Sequence, residues 1–421
     1  MTPTRENGMA AYVAVTAAYW AFMLSDGALR MLVLLHFHSL GFPPVKLAFL
    51  FVFYEIAGVI TNLSAGWIAA RFGLTSTLYA GLFIQICALV ALAQLNPDWA
   101  MLFSVIFVML VQGASGVAKD LAKMSSKSAV KLLAPTEGDG LFRWVAMLTG
   151  SKNAVKGLGF LLGAALLALW GYYAAIWGMA GVLALILLLI IWKMPAGLPA
   201  GRKDAKFSEV FSKNRNINWL SFARVFLFGA RDVWFVVGIP VYFHSVLSDG
   251  THEGARTAFF LVGTFMAIWV ILYGGVQASA PKLLRAATRS QDELTHLAQR
   301  WVFLLAFVPA TLALTVWMVD MPAAWLTALL VLGLLIFGAL FAVNSSLHSY
   351  LILAFTTGDR VTMDVGFYYM ANAAGRLLGT VLSGISYQLG GLPACLGTAA
   401  VLLLVSALGA GKLNTNVNLN R

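Results

Sequence analysis

Lysine and arginine interrupt the long apolar runs of this chain: Lys119 and Lys123, Lys152 and Lys156, and Arg376 all sit among hydrophobic neighbours. A cation in the middle of a membrane span costs about 2.5 to 3.5 kcal/mol on insertion scales, so such residues normally line wet space and carry a function. Their natural counterpart is an anion. Polar residues also recur four apart, as Asp26/Arg30, Lys119/Lys123, Lys152/Lys156, Asn344/His348 and Asn372/Arg376. That spacing puts both members of a pair on one helix face, and such stripes are satisfied most simply if they face a common aqueous chamber.

The candidate ligands of an anionic cargo are therefore Arg30, Lys119, Lys123, Lys152, Lys156, Arg231, Asn344, His348, Asn372 and Arg376, with Asp26, Glu55 and Asp232 balancing charge or coupling protons. Arginine can offer two parallel donors to a phosphate-like oxyanion, whereas lysine acts as a mobile point charge. Two readings stand for the acids. Asp26 either pairs locally with Arg30 or releases it to an arriving anion, and Arg231 with Asp232 poses the same choice. Glu55, beside Tyr54 and ahead of Asn62, either pairs with Arg30 or titrates near neutrality when desolvated. Asp120 lies about 100° around the helix from Lys119 and is an imperfect partner for it. Lys127 and Lys131 continue the ladder to the cytoplasmic end, solvated or snorkelling. His36, His38 and His244 belong near outer helix ends, while His348 is deeper and suits binding or proton sensing.

Only long helices could position these residues. The 421-residue chain is 60% hydrophobic and 11% charged, and its apolar runs repeatedly reach the roughly 20 residues that cross a bilayer core. Helices are the spans that satisfy their own backbone in lipid, so the expected class is an all-α polytopic membrane protein. Twelve transmembrane helices are expected over 11–36, 46–70, 74–95, 100–124, 141–169, 172–193, 216–247, 256–280, 300–319, 323–349, 362–389 and 391–411. The polar stretch 195–215 reads as a cytoplasmic linker between a six-helix bundle over 1–194 and another over 216–412, with a disordered tail at 413–421.

The net charge of +11 follows topology rather than nucleic acid. Arg71, Lys127, Lys131, Arg202, Lys203, Lys206, Lys213, Arg215, Lys282, Arg285, Arg289, Arg360 and Lys412 fall in alternate connections or the tail, and the opposite loops carry essentially Lys46 and Arg256. The positive-inside rule then puts both termini in the cytoplasm. Trp99, Trp170, Trp192 and Trp325 lie near expected span ends, as interfacial aromatics do. The first apolar run outlasts a signal-peptide core and lacks a small-residue cleavage site, so the amino terminus is expected to be retained. Cys87 and Cys395 are isolated in apolar runs and support neither a disulfide framework nor a metal site. There is no phosphate-binding glycine loop, no zinc spacing and no soluble region large enough for a catalytic domain. No cofactor, enzyme activity or nucleic-acid partner is expected; the lipid bilayer and a small anionic substrate are, and the chain is expected to be a monomer.

The halves echo each other. Phe37-His38-Ser39 matches Phe243-His244-Ser245 and sets Asp26 over Asp232; a second register sets Gly113, Lys119 and Lys123 over Gly338, Asn344 and His348; a third sets Lys156 and Gly159 over Arg376 and Gly379. Their order fits the parallel repeat of a major facilitator, in which substrate binds near the midplane at the repeat interface. Gly66-Trp67-Ile68-Ala69-Ala70-Arg71-Phe72-Gly73 resembles the facilitator signature after the second helix, and 275–281 its degenerate copy. Ala70 replaces the usual acid, so this position offers no carboxylate for a charge lock.

The run from Tyr19 to His38 (YWAFMLSDGALRMLVLLHFH) is similar to the opening helix of the organoarsenical efflux permeases. So are Phe53-Tyr54-Glu55 with Thr61-Asn62-Leu63, Gly116 to Ser125, Arg143 to Ala146, and Leu148 to Gly157. This resemblance implies export of 1-arseno-3-phosphoglycerate across a bacterial cytoplasmic (inner) membrane by alternating access, conferring arsenate resistance. It also implies a functional partner, glyceraldehyde-3-phosphate dehydrogenase, which makes that ester from arsenate. An arsenate, a phosphate and a three-carbon body suit two separated cationic clusters. An organic-anion or sugar-phosphate exchanger of the facilitator superfamily is the alternative.

Overall fold

A computed structural model describes residues 5–133, 140–194, 212–285, 288–319, 323–356 and 361–413. Most of the linker and nearly all of the tail, at 195–211 and 414–421, lie outside the described residues, as do Arg360 and the side chains of Ala70, Arg71, Lys127 and Lys131.

Among the described residues every regular element is helical. The first half holds α1 (Arg5–Ser39), α2 (Pro44–Phe49), α3 (Val52–Phe72), α4 (Leu74–Leu92), α5 (Met101–Leu133) and α6 (Gly140–Lys193). The second holds α7 (Arg215–Val233), a π-helical turn (Trp234–Gly238), α8 (Ile239–Leu247), α9 (His252–Leu283), α10 (Gln291–Met318), α11 (Ala324–Phe355) and α12 (Val361–Ala410). Ten stretches of the described residues are long and apolar enough to cross a membrane, and two of them run to 43 and 47 residues. Those two are each broken by glycine. Gly171 takes φ +73° inside α6, and Gly391 takes φ +62° inside α12. Side chains rarely adopt that left-handed region, and each break falls where the sequence separates two spans.

The chain forms two compact units: Met1–Phe37, Phe53–Ser208 and Arg256–Ile268 in the first, and His38–Val52, Glu209–Ala255 and Trp269–Arg421 in the second. The change of unit at 208/209 falls inside the expected linker, while 38–52 and 256–268 group with the opposite halves.

Glycines set the helix crossings in both units. A Cβ on Gly27 would lie 2.7 Å from the Lys156 carbonyl oxygen, and one on Gly159 would lie 2.5 Å from that of Leu24. In the second unit a Cβ on Gly379 would lie 2.5 Å from the Gly229 carbonyl oxygen and 2.7 Å from Asp232 Cβ. The crossing of α1 with α6 therefore reappears as α7 with α12, in the register that pairs Gly159 with Gly379 to within a residue. Small residues at such points let helix backbones approach within van der Waals contact. The second unit also buries Ile217, Leu220, Leu294, Leu347, Leu351 and Tyr368 in one apolar cluster.

The π-helical turn lies just before Pro240, which has no N–H to return to the preceding turn and whose ring crowds the carbonyl there; within the turn the amides of Val237 and Gly238 donate to Ser383 Oγ at 3.1 and 3.3 Å.

Candidate functional site

In the first unit α1, α3, α5 and α6 bring their charged stripes into contact. Asp26 accepts from Tyr54 Oη at 2.6 Å and lies 3.7 Å from Lys156 Nζ. Arg30 meets Glu55 at 3.2 Å. Lys119 Nζ stands 4.0 Å from the centroid of the Tyr54 ring, a cation–π distance. One turn further along α5, Lys123 donates to Asn62 Oδ1 at 2.6 Å and pairs with Asp120 at 3.2 Å, and Asp120 also accepts from Thr61 at 2.5 Å. Asp26, Glu55, Lys119 and Asp120 are all buried, while Arg30, Lys123 and Lys156 keep 15 to 20% of their side chains exposed. Lys152 lies one turn before Lys156 on α6, partly buried.

Of the two readings for Glu55, its partnership with Arg30 is the one seen, and the carboxylate of Asp26 is held by Tyr54 and Lys156. Two participants were absent from the sequence-derived site. Tyr54 ties Asp26 to Lys119, and Asp120 serves Lys123, three residues on, rather than its neighbour in sequence. The i,i+3 rule would have found Asp120.

The second unit is built differently. Arg231 holds Asp232 through Nε and Nη2, both at 2.6 Å, and its guanidinium lies 4.9 and 5.5 Å from the Phe228 and Phe341 rings. Arg224, two turns earlier on the same face of α7, donates from Nη1 to the carbonyl and hydroxyl of Ser345, each at 3.1 Å. Its guanidinium rests 4.1 Å from the Phe228 centroid and 4.7 Å from that of Tyr368. Arg224 is buried and was missed in the sequence because it lacks a polar partner four residues away. Its spacing of seven from Arg231 was the available signal, since seven residues nearly complete two helical turns.

On α11, Asn344 donates to the Ala298 carbonyl at 2.9 Å, and His348 has no exposed surface. Neither ring nitrogen of His348 has a hydrogen-bond partner among the described residues, nor has Asn344 Oδ1 or Asn372 Oδ1. Asn372 and Arg376 are half-buried on α12, one turn apart. His36 stacks on Tyr172 at 4.0 Å, and His38 meets His244 edge-on at 4.9 Å, two histidines that the internal repeat had placed in register. Among the described residues no cluster of three or more His, Cys, Asp or Glu could hold a metal.

Three solved transporter structures share this arrangement of helices. A POT family transporter in complex with 5-aminolevulinic acid superposes with a TM-score of 0.69 at 13% identity, covering 94% of each chain. A mutant of the nucleoside transporter NupG gives 0.69 at 16% identity over 95% of this chain and 98% of that one. A POT family transporter bound to a thioalcohol-conjugated peptide gives 0.67 at 13% over 94% of each. The chain has a major facilitator fold. At these identities the likeness is one of fold, and no family model and no curated protein matches the sequence. The facilitator fold fits the glycine crossing repeated in each unit.

Proposed function

We propose that the chain is a membrane transporter whose cargo is a small organic anion. The supporting observation is a charge imbalance. Along the spans, the described residues of the first unit carry five cations (Arg30, Lys119, Lys123, Lys152, Lys156) against three carboxylates (Asp26, Glu55, Asp120), and those of the second carry Arg224, Arg231 and Arg376 against Asp232 and Asp364. The first unit retains an excess of two positive charges and the second an excess of one. A span interior does not hold such an excess without a counter-charge, and a mobile anion supplies one.

The finer reading is export of 1-arseno-3-phosphoglycerate, which rests on the likeness of the segments around Asp26, Glu55, Lys119 and Lys152 to organoarsenical efflux permeases. The facilitator fold supports alternating access. The paired cations give it a mechanism: an arriving anion takes the place of a carboxylate at Arg30, Lys123 or Lys156, and the freed carboxylate becomes the proton acceptor if export is coupled. Export needs no such coupling, because a cell interior held negative drives each departing negative charge by about 2.3 kcal/mol per 100 mV.

Inverted vesicles test the reading. Labelled arsenate should accumulate inside them only when glyceraldehyde-3-phosphate dehydrogenase, its triose substrate and the nicotinamide cofactor are supplied. Equal accumulation from arsenate alone sinks the organoarsenical assignment. Uptake of hexose phosphate or glycerol 3-phosphate with no dependence on arsenic would select the exchanger instead.

A further inference from the structure

Among the described residues Arg224 makes no ion pair with a carboxylate, and the ionisable groups around it include the phenols of Tyr368, Tyr273 and Tyr369, the His348 imidazole and the Arg231 guanidinium. The hydrogen bonds of Arg224 reach only the neutral oxygens of Ser345, and Nε has no hydrogen-bond partner among the described residues. A guanidinium buried to this degree without an opposite charge is unusual, because breaking or omitting the partner of a buried ion is strongly unfavourable. Arg231, seven residues away, shows the ordinary solution in its pairing with Asp232.

His348 adds a second, independent sign. It lies three residues from Ser345 on α11, hence on the same helix face. Both of its ring nitrogens are enclosed and without a hydrogen-bond partner among the described residues. A neutral imidazole has one donor and one acceptor, which together suit an oxyanion that still carries a proton. Buried polar atoms in a native protein are satisfied by something.

We infer that Arg224, Ser345 and His348 form a binding site for a phosphate or arsenate monoester group, with Arg224 supplying the charge and His348 exchanging hydrogen bonds with the group's oxygens. This deepens the anion-carrier reading and rests on it, assigning one end of the cargo to α7 and α11. The Phe228 and Tyr368 rings hold the guanidinium in place, and Nη1 is committed to Ser345, so Nε is left to the ligand. A guanidinium bonds an oxyanion through a planar fork that an ammonium cannot reproduce.

The test is calorimetric titration of the purified full-length protein with glycerol 3-phosphate, inorganic phosphate and glycerate, on the wild type and on Arg224→Met, Arg224→Lys and His348→Leu. Wild-type protein should bind the two phosphates. Arg224→Met should abolish that binding while melting at or above the wild-type temperature without ligand, since it removes a buried uncompensated charge. Arg224→Lys should weaken binding by about tenfold or more, and covers the case in which the methionine variant does not fold. His348→Leu should weaken it less. Wild-type protein that binds phosphates, with undiminished binding in either folded Arg224 variant, overturns this site and leaves the anion-carrier reading standing. Binding of glycerate alone overturns the choice of oxyanion. No binding of any probe overturns the carrier reading and the site together.

Discussion

Glu55 has no exposed surface and meets Arg30 at 3.2 Å. Removing one partner of such a pair leaves a buried charge uncompensated, at a cost of about 3 to 5 kcal/mol, whereas replacing both with apolar residues is often nearly neutral. Glu55→Gln should therefore lower the melting temperature of the purified protein clearly, and Arg30→Met combined with Glu55→Leu should restore most of the loss; equal melting of the two variants contradicts the pairing. Tyr54→Phe separates two roles, because it keeps the ring under Lys119 and deletes the 2.6 Å bond to Asp26. A loss of about 1 to 3 kcal/mol is expected from an acceptor left unsatisfied, read by denaturant titration. The sequence exposed most of these side chains, because burying a cation in an apolar run is visible without coordinates. It did not expose Arg224, whose partners are aromatic rings and Ser345, most of them distant along the chain. The pairing of Glu55 with Arg30, twenty-five residues away, was one of two readings the sequence offered, and only the coordinates select it over pairing of Arg30 with Asp26.

At the scale of elements, the span limits followed from hydrophobicity alone, to within a few residues at most ends. Gly171 and Gly391 mark the turns between neighbouring spans, inside helical stretches that otherwise run on for 54 and 50 residues, and their positive φ is why the two breaks fall on glycine. The π-helical turn at Trp234–Gly238 was not legible, since a proline inside a helix kinks it in several ways and the Ser383 hydroxyl that meets this turn is distant along the chain. The glycine crossings carry a prediction. Gly159→Leu forces a side chain against the Leu24 backbone and should cost about 1 to 3 kcal/mol by overpacking, whereas Gly178→Ala, which meets nothing within 4 Å, should not lower thermal stability. At the start of α9, Asp249 accepts from the amide and hydroxyl of Thr251, and these bonds hold its carboxyl below the ordinary aspartate value. A depressed native value means the support is present above the unfolded-state pKa and lost as pH falls through the folded one. The protection of the amides at 252–255, after allowing for the intrinsic pH dependence of exchange, should therefore fall in acid, and an Asp249→Asn variant should lose that fall.

For the whole molecule, the even spacing of basic loops and the echoes between halves made the facilitator fold legible before any coordinates, and the structures of POT and NupG transporters share it. Cargo was less legible, because a fold of this kind hosts many substrates and specificity resides in a few side chains. The proposal of an anion rests on the cations that interrupt the spans, most of which keep some exposed surface. The most direct test is electrical: currents from proteoliposomes containing the purified protein, recorded on addition of the enzymatically generated arseno ester or of glycerol 3-phosphate. Net movement of negative charge with the anion is predicted, in the same sense whether or not protons travel the opposite way, and it should vanish in Lys119→Met. A neutral nucleoside transported in place of the anions, undiminished by that substitution, would contradict the account.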